Sequence, residues 1–176
     1  MEYDLRAVTA VLATAGWPLR IHATYNELVR RMLDVFEPVF EEIAYEGRWA
    51  FDHVETLGDA NLLRIKALGG GVAVQDRMAF AGETFIGRYG SEAAAHAPPL
   101  RKLIDSGVPL GAGTDGTHVS SYNPWVSLYW MTTGKTVGGT KLYADADLLT
   151  RDEALRLYPL GSAWSQRRRE RKGSAR

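Results

Sequence analysis

Residues 106–123 read SGVPLGAGTDGTHVSSYN. The apolar run Val108-Pro109-Leu110, bounded by Gly and Ser, has the length and composition of a buried strand. Gly111, Ala112 and Gly113 permit close backbone approach where that strand ends, and the carboxylate of Asp115 follows. Asn123 caps, and Pro124 opens, a helix behind it. Two earlier segments repeat this layout with histidine at the end: Leu19-Arg20-Ile21-His22 and Trp49-Ala50-Phe51-Asp52-His53. Three side chains able to bind metal thus close three short apolar runs.

Working outward, strand and helix alternate four times. The first helix covers Asp4–Ala15 and stops at Gly16, with Pro18 beyond. After the strand Arg20–Ala23, apolar residues from Leu28 to Ile43 fall three and four apart over Glu27–Ala44, marking a long amphipathic helix that Pro38 should kink or split. Trp49–Val54 is the next strand and Asp59–Leu68 the next helix. Val72–Gln75 is the third strand. Asp76–Pro99 reads as an excursion over the strand ends with a short helix at Glu83–Tyr89, and the helix Leu100–Ser106 leads to the fourth strand. Thr150-Arg151-Asp152-Glu153 is a capping box that starts the last helix. Such alternation implies an α/β fold with a parallel sheet and helices outside it.

Composition narrows the function classes. The 176 residues suffice for one domain with a sizeable core, and the lack of cysteine excludes disulfides and thiolate metal sites. Net charge is zero, but residues 167–176 hold six basic residues against one acidic, leaving residues 1–166 at −5. This acidic body argues against nucleic-acid binding, and no apolar run is long enough to span a bilayer. With Glu2 and Asp4 where a signal sequence would be basic, a cytoplasmic location is expected.

Two nucleotide motifs fail on context. Gly111–Gly116 matches G-x-G-x-x-G, but the next helix waits until Pro124. Thr133-Gly134-Lys135-Thr136 resembles the end of a P-loop, but Tyr129 stands where its leading glycine should be. A lone histidine at a strand end is more often structural than a ligand. The shared placement of His22, His53 and Asp115 changes that balance, because imidazole and carboxylate on rigid strand ends suit a divalent cation. Gln75 and Arg77 at the third strand's end, and His118 in the loop after Asp115, are candidate substrate contacts. His96, beside Pro98-Pro99, reads as a loop residue.

HATYNE at His22, FDHVE around His53, GGGVAVQDRM over 69–78, GAGTDG through YNPW, and TRDEALRLYPLGSAW together resemble the metal-dependent amidohydrolase superfamily, and within it amidohydrolase family 3, which includes N-substituted formamide deformylases. The similarity runs in order over residues 18–166. It implies a TIM barrel of which this chain supplies the carboxyl-terminal half, about four βα units corresponding to strands 5–8. It also implies that His22, His53 and Asp115 bind a divalent metal, zinc being expected, and that Asp115 acts as general base in hydrolysis of a non-peptide amide-type C–N bond in a small molecule. The four histidines, at 22, 53, 96 and 118, include no H-x-H pair of the kind that closes such a site. The expectation is therefore a truncated enzyme that needs a second copy or a complementary amino-terminal half, or else an inactive remnant serving as an interaction module. Residues 1–17 are expected to be a helix and linker, 18–166 the partial barrel, and 167–176 a disordered basic tail.

Overall fold

The computed structural model describes residues 2–116, 120–161 and 164. The basic tail at 167–176 and His118 lie outside them.

Four strands, β1 (Leu19–Ala23), β2 (Trp49–His53), β3 (Gly71–Gln75) and β4 (Leu110–Gly113), form one parallel sheet in the order β1-β2-β3-β4. Each strand lies beside its predecessor and runs the same way, so all four carboxyl ends share one edge. The register sets Ala23 beside His53 and Gln75 beside Gly113. The connections are helical: α2 (Asn26–Ile43) follows β1, and α3 (Asp59–Ala67) follows β2. α4 (Arg77–Tyr89), α5 (Ser91–Ala94) and α6 (Leu100–Ser106) follow β3, while α7 (Pro124–Thr133) and α8 (Arg151–Arg156) follow β4. The leading helix α1 (Glu2–Thr14) rests on α2, where Arg6 Nη2 meets Glu42 Oε2 at 2.8 Å.

The core is aromatic where α2 crosses β2. Phe36 and Phe51 stack at 5.8 Å, Trp49 meets Phe36, Phe40 and Phe51 at 5.3–5.6 Å, and its indole N–H donates to the Leu68 carbonyl at 3.0 Å. Burying Phe36, Phe51 and Trp49 anchors the middle of the sheet, each such side chain contributing on the order of 2–3 kcal/mol.

Two expectations are corrected. Pro38 does not split α2, which runs unbroken from Asn26 to Ile43. Pro38 is on the exposed face, where the carbonyl that loses its partner can meet water, while buried Phe36, Val39 and Phe40 hold the inner face in register. The helix after β3 starts at Arg77 rather than Glu83, because Met78, Ala79, Gly82 and Phe85 make a buried stripe. Gly82 lets the helix pack closely there, since a Cβ would come within 2.7 Å of Leu142 Cδ1 and Thr136 Cγ2 and those side chains would have to shift to admit it.

The sheet's two edges differ. The wide turn Leu157–Gly161 covers β4 so closely that a Cβ on Gly161 would lie 2.0 Å from the Leu110 carbonyl oxygen. Among the described residues, β1 pairs with β2 alone.

Candidate functional site

The shared carboxyl edge brings the candidate residues together. His22 is the penultimate residue of β1, His53 closes β2, Gln75 closes β3, and Asp115 follows β4 by two residues. The His22 and His53 rings meet edge to face with centroids 4.3 Å apart. His22 Nε2 is 3.0 Å from the Thr24 hydroxyl, and His53 Nδ1 is 4.0 Å from Asp115 Oδ2. These side chains open on a cavity of about 390 Å³, which Tyr25, Glu55, Gln75 and Arg77 also line.

The backbone beneath them is unusual. His53, Val54 and Asp115 take left-handed conformations, with φ of 78°, 49° and 49°. Non-glycine residues adopt this region at a cost of about 1–3 kcal/mol each and keep it where surrounding contacts enforce it, which is most often at functional sites. The extended path of β2 ends abruptly at His53 and that of β4 just before Asp115, which turns both side chains toward the cavity.

Burial lowers the pKa of His53 and the neighbouring His22 ring adds to this, against an opposing pull from Asp115, Asp52 and Glu55. The ring is thereby held neutral at neutral pH, the form in which imidazole can accept a hydrogen bond or ligate a cation. Behind β3, Asp76 is wholly buried and its pKa is raised by that burial, with the Ser127 and Ser120 hydroxyls opposing the rise. Its carboxyl faces the interior, so the α4 amino terminus has no side-chain cap from it.

Glu55 is the residue that sequence reading overlooked. Its side chain is 2% exposed, and both carboxylate oxygens accept from Arg77 Nη1, at 2.6 and 2.7 Å. Gln75 Nε2 donates to it at 3.4 Å, while Gln75 Oε1 accepts from the Arg77 backbone N–H. The signal in FDHVE is a glutamate just past an apolar strand, but its partner is 22 residues away and becomes a neighbour through β2–β3 pairing. His96 is apart from this edge, 3.6 Å from Asp147.

Two imidazoles and a carboxylate suit a divalent cation in kind. In placement they do not complete a site: among the described residues, no group of three or more His, Asp or Glu side chains is set to hold an ion.

A parallel sheet presenting two histidines and an aspartate near its carboxyl edge defines an α/β protein with side chains of metal-ligating type gathered on one side. The sequence model of the amidohydrolase family matches residues 1–176, and the chain belongs to that family. It is 25% identical over 161 residues to an N-substituted formamide deformylase from Arthrobacter pascens, covering 90% of this chain and 29% of that protein. Crystal structures of uncharacterized metal-dependent hydrolases from Pyrococcus horikoshii OT3 and Pyrococcus furiosus superpose with TM-scores of 0.78 and 0.73 at 26% and 27% identity. Each comparison covers 93% of this chain and 32% of the other. The chain thus spans about a third of the length of these relatives.

Proposed function

We propose that these four βα units are the carboxyl-terminal half of a metal-dependent amidohydrolase barrel and that the site hydrolyses a small, non-peptide amide. The observation that carries this reading is the convergence of His22, His53 and Asp115 on one cavity from three separate strand ends. The strand order supports it, because barrels are built by adding each parallel strand beside the last. The relatives' names supply the reaction class.

In this reading His22, His53 and Asp115 are a partial ligand set for a divalent ion, with zinc expected, and further ligands come from sequence beyond these residues or from a partner chain. A bound ion supplies Lewis acidity toward the amide carbonyl. His53, neutral through burial, offers a ring nitrogen at the cavity. Asp115, half exposed and 4.0 Å from His53 Nδ1, accepts the proton of the attacking water. A C–O bond forms, the C–N bond breaks, and the proton passes to the departing nitrogen. Gln75 and Arg77 form the wall against which the rest of the substrate lies. The incomplete ligand set supports a second reading, an interaction module without catalysis.

The test is amide hydrolysis, with a formamide substrate and zinc, by this chain co-expressed with an amidohydrolase amino-terminal segment bearing H-x-H. Turnover that disappears with Asp115→Asn is expected. No turnover in the complemented form would favour the interaction module, and turnover indifferent to Asp115→Asn would remove Asp115 as the general base.

A further inference from the structure

The junction after β2 combines an unfavourable backbone with an unusually well-held side chain. His53 and Val54 are consecutive left-handed residues, and Val54 is β-branched and wholly buried, the residue type least suited to that conformation. On one side the corner is tied to β1 by the Val54 N–H, which donates to the Ala23 carbonyl at 2.9 Å. On the other side the next residue is Glu55, whose buried carboxylate receives Arg77 Nη1 on both oxygens. Arg77 is itself fixed as the first residue of α4, its backbone N–H on Gln75 Oε1 and its guanidinium facing the Tyr25 hydroxyl.

We infer that Glu55 and Arg77 are a positioning pair that clamps the strained His53–Val54 corner to the β3–α4 junction and so aims the His53 ring at His22. A buried carboxylate with a charge-assisted partner resists displacement, since moving it would leave a charge unpaired in the interior. Without the clamp the corner can relax toward ordinary extended backbone, which rotates His53 away from the 4.3 Å ring contact. Arg77 Nη1 is thus committed within the protein, and its role toward a substrate is secondary. The functional consequence rests on the proposed role of His53; the geometric claim does not.

The test compares the wild-type 176-residue chain with Arg77→Lys and with the charge-neutral double variant Glu55→Gln/Arg77→Gln, which strands no buried charge. Backbone carbon shifts of His53 and Val54 report the left-handed conformation, and hydrogen exchange of the Val54 amide reports its bond to Ala23. In the double variant the left-handed signature is expected to be lost and Val54 exchange to accelerate at least about tenfold, with mid-strand amides of β2 and β3 unchanged. Arg77→Lys should fall between the two, because one ammonium holds the carboxylate less rigidly. Unchanged shifts and exchange in the double variant would overturn the inference. Equal acceleration throughout β2 and β3 would overturn it too, marking general fold support. Hydrolytic activity does not enter, so failure of the proposed reaction and failure of the clamp are read separately.

Discussion

Substituting Glu153 by Gln should weaken the fold at neutral pH and leave it unaffected in strong acid. Arg101 of α6 donates from Nη1 and Nη2 to the two Glu153 oxygens at 2.8 and 3.0 Å, and from Nη2 to the Leu148 carbonyl at 2.8 Å. Glu153 also accepts from the Thr150 backbone N–H at 2.8 Å, closing the capping box of α8. Arg101 first, and the Thr150 backbone next, hold the Glu153 pKa down at about 2 from an ordinary 4.5. Taken whole, such a shift corresponds to about 3 kcal/mol. The two side chains keep 26% and 29% of their surface in water, and screening brings the contribution to about 1 kcal/mol. Because the folded-state pKa is depressed, this stability is present above pH 4.5 and is lost as pH falls through about 2. The Gln amide oxygen can keep the bond from the Thr150 N–H, while its –NH2 replaces the oxygen that accepts from Arg101 Nη1, so the variant removes the charge together with that bond. Urea denaturation followed by circular dichroism at pH 7, 5, 3 and 2 should show a gap of about 1 kcal/mol between wild type and Glu153→Gln that closes toward pH 2. A gap that stays constant over this range would refute the assignment.

Gly161→Ala should pry the covering turn off β4, because its Cβ would fall 2.0 Å from a backbone oxygen with no flexible group to yield; a cost of about 2 kcal/mol or more in urea titrations is expected, and an unchanged midpoint would contradict that packing. The β1 edge, unpaired on one side among the described residues, should promote self-association. Size-exclusion chromatography with light scattering is expected to show dimers or larger species, and a clean 19.5 kDa monomer at high concentration would count against it.

Much of this architecture is legible locally. The Asn123 side chain accepts from Trp125 N, Thr150 and Glu153 form the reciprocal cap, and α6 spans Leu100–Ser106 as its apolar spacing implies. Such features depend on residues within a turn of each other. The placement of His22, His53 and Asp115 on one edge is legible for the same reason, since each lies within two residues of its own strand's end. Other features depend on distant partners. Strand β4 is Leu110–Gly113 rather than the apolar run beginning at Val108, because pairing of Val72 with Leu110 through Gln75 with Gly113 recruits the small residues into the sheet. Glu55 needs Arg77 across β2–β3 to make sense of its burial. The left-handed corner at His53–Val54 has no local signature, for neither residue is the glycine that such a conformation favours.

The most direct test of the site is a calorimetric titration of the chain with zinc, alongside His22→Ala and His53→Ala. One weakly bound ion per chain, lost in either variant while the circular dichroism spectrum is retained, is the result expected of a partial ligand set on these strand ends. No binding by the wild-type chain, or binding undiminished by both substitutions, would contradict the assignment of this edge as the cation-binding face of an amidohydrolase.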